Sequence, residues 1–399
     1  MEYESTLKLF FKLDSKTFKE ELQKKIDSYD TLKFNFAINA HQSFFHYDRF
    51  VFEKVIKVET KNEKLNSIFE SLPEIAKKQY IRNTLVGEVK NTNELEGVFS
   101  SRKEIFEITE DLKNKSSNKI SSIVNKYMML FNNKEEKEIL SCKDIRTIYD
   151  NLFYSDKKTL IADKDKPDGI YFRKNYVGVY DAAGMLVHKG IDGENAIIEA
   201  IQEGLQILNN NDINTYIRLA LFHYIFEYTH PFYDGNGRIG RYLISSVIKK
   251  EKSKIFAFRV SSGINDRKDK YYKAFKETED PRNYGDLSTF VYSFLDILES
   301  EYDASIKYAL DKRKTMEKLI KSLLDSNNEY TKNEKNIMYI LIQARVFSDF
   351  GVTIKTIKNT TNLSDKTIRR TMLLFKKKKL LIEEKYGRSL YYNLIENID

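Results

Sequence analysis

The residues His230 to Gly237, HPFYDGNG, force a turn on a chain whose flanks read as helix. Upstream, INTYIRLALFHYIFEYT places Ile217, Leu221, Tyr224, Ile225 and Tyr228 on one face at helical spacing. Downstream, RIGRYLISSVIKKEK does the same with Ile239, Leu243 and Val247. Pro231 cannot continue the first helix, which should end at Thr229-His230. Asp-Gly-Asn-Gly is turn chemistry, with Gly235 and Gly237 expected at positive φ and their amides uncovered. The second helix is expected from around Arg238. A glycine-bearing turn that opens a helix aims amides and helix dipole at one spot, which suits an anion.

The side chains around that spot add chemistry. Arg238 and Arg241 lie three apart and share a helix face, and guanidinium groups grip phosphate. Asp234 is a hard oxygen ligand of the kind Mg²⁺ takes when phosphates also hold it. His230 titrates near neutrality and can serve as a general base. Together they suit a phosphate-bearing nucleotide with Mg²⁺, attacked by a nucleophile that His230 activates. GNGRIG also matches the dinucleotide pattern G-x-G-x-x-G, but that pattern must follow a strand and here a helix precedes it. An ordinary helix-turn-helix with surface arginines explains a lone glycine turn, not the whole set.

Composition bounds the rest. The 399 residues suit about two or three domains, and 41% hydrophobic with 32% charged residues fits a soluble globular protein. No apolar run reaches the ~18 residues of a membrane span, and the acidic, interrupted N-terminus does not read as a signal peptide. Cys142 is the only cysteine, which excludes an intrachain disulfide and a cysteine zinc site and suits a reducing cytoplasm. The net charge is +8; Tyr330–Asp399 holds 14 Lys and Arg against 7 Asp and Glu, a net of +7. Such a local excess suggests an anionic partner such as DNA, or simply a solvated lysine face.

Along the chain, residues 1–60 mix apolar alternation (LKFNFAI, DRFVFEKVIKVE) with an amphipathic stretch. A helical pattern is expected from near Glu63, with Pro73 at a boundary, and residues 101–160 read as helical. Turn signals bracket NYVGVYD and MLVHKGI, which read as a hairpin. Helices follow over ENAIIEAIQEGLQILNN, DKYYKAFKE and the long stretch from Leu287. LDSNNEYTKNEK is the expected boundary before the basic tail.

HPFYDGNGRIGR resembles the full signature of the Fic family, His-Pro-Phe-x-Asp-Gly-Asn-Gly-Arg-x-x-Arg, over twelve ungapped positions. PDGIYFRKNYVGVYDAAGMLVHKG is similar to the family's flap hairpin, and the likeness runs from about Glu63 to Glu301. The resemblance implies a mainly α fold: a helical core with a β-hairpin flap and a mixed N-terminal region. It implies transfer of AMP from ATP to a protein hydroxyl, with release of pyrophosphate. His230 would deprotonate the target hydroxyl, and Asp234 would hold Mg²⁺ on the α- and β-phosphates. Gly235, Asn236 and Gly237 would cradle those phosphates, Arg238 would contact them, and Arg241 would take the γ-phosphate. Phe232 would anchor the loop. Tyr271, Tyr272 and Asn283 resemble nucleotide-pocket residues, although KETEDPR before Asn283 is longer than usual. The flap's open edge would bind an extended target segment bearing a Tyr, Ser or Thr hydroxyl by strand addition.

TNELEG, Thr92 to Gly97, reads as a helix end with a glycine cap. It also resembles the family's inhibitory signature, in which Glu96 would pair with Arg241 and displace it from the γ-phosphate. The tail resembles a winged helix-turn-helix: TIKTIKNTT and DKTIRRTMLLFKKKK as helices, then LLIEEKYGRSLYYNL as a hairpin. Lys366, Arg369 and Arg370 would start its recognition helix, for DNA or for a protein. The expected divisions are 1–115 (inhibitory motif at 92–97), 116–325 (catalytic core) and 326–399 (winged helix). The leading expectation is an auto-inhibited cytoplasmic protein adenylyltransferase acting on targets and itself, with no membrane partner. Open alternatives are another donor nucleotide, AMP removal, or a nucleotide-sensing DNA-binding regulator. Relatives often use homodimers for regulation, and the residues leave the oligomeric state open.

Overall fold

The computed structural model describes residues 3–110, 120–132, 138–154, 161–180, 184–325 and 329–395. Both expected division points, at 115/116 and 325/326, fall outside them wholly or in part. Helices dominate, in keeping with the mainly α class, and the strands of the described residues form three antiparallel pairs.

The chain opens with α1 (Thr6–Lys12), α2 (Ser15–Asp27) and a hairpin of β1 (Thr31–Ile38) and β2 (His41–His46). Next come α3 (Arg49–Glu70), α4 (Glu74–Leu95), α5 (Arg102–Glu110), α6 (Ser121–Phe131) and α7 (Cys142–Phe153). The alternation in DRFVFEKVIKVE is overruled. Val51, Val58, Asn62 and Leu65 are buried at helical spacing, and Asp48 caps the Val51 amide, so a helix starts at Arg49 rather than near Glu63. Pro73 occupies the N-cap of α4, where its missing N–H costs nothing.

The flap strands are β3 (Gly178–Tyr180) and β4 (Leu186–Lys189), and their turn at 181–183 lies outside the described residues. Then follow α8 (Glu194–Leu208), α9 (Thr215–Thr229), α10 (Asn236–Glu251), α11 (Val260–Asp266), α12 (Lys268–Glu279) and the 38-residue α13 (Ser288–Asp325). α9 is the centre of the core: every residue except Glu227 and Tyr228 is buried, on all faces rather than the one its spacing suggested. A helix apolar all round must be surrounded, and α8, α10 and α13 pack against it. α13 also runs along α3.

The tail holds α14 (Lys332–Phe347), α15 (Ile354–Thr361), α16 (Asp365–Lys377), β5 (Leu381–Tyr386) and β6 (Ser389–Leu394). Asn362 ends α15 in the left-handed region at φ 56°, and the Ser364 hydroxyl accepts from the Thr367 amide at 3.1 Å to start α16. Val352 bridges to Tyr392 on β6. Among the described residues no helix is long and apolar enough to cross a membrane.

Candidate active site

α9 ends at Thr229 because His230 turns left-handed (φ 51°, ψ 62°) ahead of Pro231. Histidine is among the residues that tolerate this region. The imidazole Nδ1 lies 3.3 Å from the Glu227 carbonyl, to which it donates, leaving Nε2 with the lone pair. Burial, reinforced by the nearby His188, pulls the His230 pKa down to about 4, so the ring is a neutral base at physiological pH.

The loop that follows is built from inside. Phe232 is fully buried, stacked on Tyr149 at 3.7 Å and met edge-on by Phe172. The Tyr149 hydroxyl donates to the Asp234 carbonyl at 2.9 Å. Asn236 spends its side chain on this loop: Oδ1 accepts from the Phe232 amide at 2.9 Å and Nδ2 donates to the Phe232 carbonyl at 2.8 Å. It is therefore a brace, and only its amide is left to face a phosphate. Gly235 has the expected positive φ of 86°, and a Cβ there would lie 2.9 Å from the Phe153 ring. Gly237 does not share it, because α10 starts at Asn236, two residues earlier than expected. Gly237 is glycine for room: a Cβ would fall 2.2 Å from Glu96 Oε1 and 2.7 Å from an Arg241 nitrogen.

Arg173 is one of the residues that sequence reasoning missed. It is fully buried. Its guanidinium donates to the carbonyls of His230 (2.8 Å), Asn175 (2.6 Å), Ile191 (2.7 Å) and Thr229 (3.2 Å). It thus ties the base of the flap to the His230 turn. The available signal was a lone arginine inside an aromatic stretch, YFRKNY, with no acid nearby to claim it.

A cavity of about 350 Å³ opens beside His230 and is lined by Val179 and His188 of the flap, Glu227, Tyr271 and Tyr272. His188 links β4 to the core, with Nε2 2.6 Å from the Tyr228 carbonyl and Nδ1 2.8 Å from Glu279. Tyr271 is buried with its hydroxyl 2.8 Å from His223 Nε2, while Tyr272 is half-exposed at the rim. Burial pushes the Glu227 carboxyl up to about 8 against the pull of Arg241, which makes it a neutral acid in the cavity wall. Asn283 is not brought to this cavity. Its Nδ2 donates to the carbonyls of Thr278 and Asp286, bracing the turn that KETEDPR and the residues after it build.

Arg241 does not point freely at a ligand. Its Nε donates to Thr92 Oγ1 at 2.9 Å, and Nη2 donates to the Thr92 carbonyl at 3.0 Å and to Glu96 Oε1 at 2.9 Å. Burial would raise the Glu96 carboxyl, but Arg241 and then Arg238 outweigh it and hold the pKa below its usual value. TNELEG ends a helix as its glycine suggested: α4 ends at Leu95, Gly97 takes φ 71°, and the Glu96 side chain is turned back onto Arg241. Four residues before Thr92, Glu88 is buried and accepts from the Ser261 amide and hydroxyl, at 2.9 and 2.6 Å. It caps the start of α11 and seats α4 on the core. Its spacing with Thr92 and Glu96 was visible in the sequence, but its partner was not.

The residues present fit a magnesium nucleotide. Arg238 is buried over the Phe153 ring; Nη2 donates to Asp234 Oδ1 at 2.9 Å, while Nε and Nη1 have no partner. Orphaned buried donors beside first-turn amides, which have no intrahelical acceptor, suit an anion. The Asp234 side chain is 41% exposed, and no cluster of three or more His, Cys, Asp or Glu among the described residues could hold a metal alone. One carboxylate supplemented by phosphate oxygens and water is how Mg²⁺ is usually held.

Residues 139–248 match the family model described as Fic/DOC family. The chain therefore carries a Fic/DOC domain, and such domains typically transfer AMP or another nucleotidyl group. A probable protein adenylyltransferase of Aquifex aeolicus is 35% identical over 72 residues, 18% of this chain and 20% of the relative. The chain thus spans about a fifth of that relative's length. A solved Fic family protein from Desulfovibrio desulfuricans superposes with a TM-score of 0.55 at 15% identity, covering 90% of this chain and 100% of its own. That likeness shows the fold. A Fic domain containing signaling protein from Bacteroides thetaiotaomicron is 16% identical, covers 63% of this chain and 95% of its own, and gives a TM-score of 0.45.

Proposed function

We propose that this chain is an auto-inhibited protein adenylyltransferase that moves AMP from ATP to a hydroxyl side chain of a target protein and of itself. The target's extended segment docks on the open edge of the β3–β4 flap. His230 Nε2 takes the hydroxyl proton as the oxygen bonds to the α-phosphorus; the bond to the β-phosphate bridging oxygen breaks and pyrophosphate leaves. The α10 amides and the free donors of Arg238 hold the phosphates, so charge and alignment are supplied before reaction. Mg²⁺ held by Asp234 would neutralise phosphate charge. The observation that carries the reading is the partly buried contact of Glu96 with Arg241 beside this loop. In that state Arg241 is withheld from the nucleotide.

The test is to incubate Glu96→Gly with each of the four ribonucleoside triphosphates and identify adducts by mass spectrometry. AMP on a Tyr, Ser or Thr of this chain or of an added lysate protein is the expected product. A different nucleotidyl adduct would redefine the donor, and no adduct with any of the four would sink the proposal.

His230 also sets a pH expectation. Its pKa lies below the usual value, so the base is neutral above about pH 4 and is lost only as pH falls through that value. In Glu96→Gly, kcat/KM is expected to stay level from about pH 8 down to about pH 5.5, since that ratio reports the free enzyme. A drop centred near pH 6.5, the ordinary histidine value, would contradict the assignment.

A further inference from the structure

The tail carries charge that its own acids do not neutralise. Lys355 on α15 and Lys366, Arg369 and Arg370 at the start of α16 are exposed. Their neighbours Lys358, Lys376 and Lys378 are paired with Asp365, Glu383 and Glu329. Lys355 and Arg369 line an open cavity of about 400 Å³ together with Thr353, Ser389, Tyr392 and Glu110. Glu110 comes from outside the tail: it is the last residue of α5 and pairs with Arg82 of α4.

The same tail grips the frame that holds Glu96. α4 leads into the Glu96 loop and α5 leads out of it. α14 packs along α4, and Gln343 Oε1 accepts from the Ala76 amide at 3.3 Å. Phe106 of α5 stacks on Phe350 at 3.7 Å and meets the edges of Tyr386 and Tyr391 on the β5–β6 hairpin. Arg102 joins Asn83 of α4 to Asp349 of the tail. The tail thus touches both helices that flank the Glu96 loop.

We propose that α16 docks in the major groove of duplex DNA and that the phosphates drawn to Lys355 and Arg369 disturb the Glu110–Arg82 contact, loosening the α4–α5 frame and freeing Arg241 from Glu96. This rests on reading Glu96 as a brake. The major groove of B-form DNA is about 12 Å wide and admits a helix, whereas that of A-form RNA is too deep and narrow to be read. A phosphate in the cavity brings a negative charge beside Glu110, the partner of Arg82, and so weakens the hold of Glu110 on α4.

The test uses the full chain and a fluorescein-labelled DNA duplex of about 20 base pairs, followed by anisotropy. Four phosphate contacts predict that log affinity falls against log salt with a slope of about −3.6, a loss of roughly a hundredfold between about 50 and 200 mM. The double variant Arg369→Glu, Arg370→Glu is expected to lose binding. Saturating duplex should raise AMP transfer by the wild-type chain at least about fivefold and leave Glu96→Gly unchanged. No binding at the lower salt, or binding indifferent to the double variant, overturns the DNA assignment and leaves a protein as the partner for this face. Binding without a rise in wild-type transfer, while Glu96→Gly is activated, overturns the coupling and spares the proposed function. If neither chain transfers AMP, hydrogen exchange decides the coupling: amides of α5 should exchange faster with duplex, and no change overturns it.

Discussion

Replacing His230 with Ala in a chain already carrying Glu96→Gly is expected to lower the AMP transfer rate by about 10²–10⁴-fold, the usual contribution of a positioned acid–base group. The expectation follows from three features of one residue. Its Nδ1 is occupied by the Glu227 carbonyl, its ring is neutral, and it lines the cavity between the flap, the end of α9 and α12. His230→Ala should leave nucleotide affinity within about threefold, because the proposed function gives the phosphate contacts to Arg238 and the amides of α10. Initial rates with labelled ATP and a calorimetric titration with a non-hydrolysable analogue separate the two effects. A loss below tenfold, or a matching loss of affinity, would remove His230 from the role of base.

Glu96→Gly alone is expected to raise AMP transfer by about a hundredfold. As the proposed brake, Glu96 would act twice: it occupies one donor of Arg241, and it places a carboxylate beside the proposed phosphate site. A unit charge about 5 Å from another costs about 3 kcal/mol at an effective dielectric of 20, and each 1.36 kcal/mol is tenfold in rate. Its folded pKa lies below the ordinary value, so the charge is present across the neutral range. Thr92 still holds Arg241 Nε in this variant, which keeps the guanidinium in place. Glu94→Gln is the control: that side chain pairs with Lys90 on the same helix at 3.2 Å, away from Arg241, and the rate should not move. A rise below about threefold in Glu96→Gly, with His230-dependent turnover intact, would mean that the contact is structural.

Much of this site was legible because its chemistry is local. HPFYDGNGRIGR carries its turn, its helix start and its charges within twelve residues, and short-range rules suffice to read them. What short-range rules could not supply was the reason for particular residues. Gly237 read as a turn glycine, and its true constraint is the Glu96 side chain just past α4, with Arg241 beside it. Asn236 read as a phosphate ligand, and its side chain serves the backbone of Phe232. Asn283 was assigned by likeness across a segment of altered length; the extra turn residues claimed its amide. Arg173 and Glu88 were passed over because most of their partners, the carbonyls of Thr229, His230 and Ile191 and the amide and hydroxyl of Ser261, are distant in sequence, which no spacing reveals. At the N-terminus, β-branched and aromatic residues in DRFVFEKVIKVE imitated a strand, and burial at positions 51, 58 and 65 settled it as helix.

The missing Cβ at Gly237 also ties two distant positions together. The Glu96 carboxylate occupies the space a methyl group would need. Gly237→Ala would have to displace the Glu96 or the Arg241 side chain, so a change at either of positions 96 and 237 alters what the other can hold.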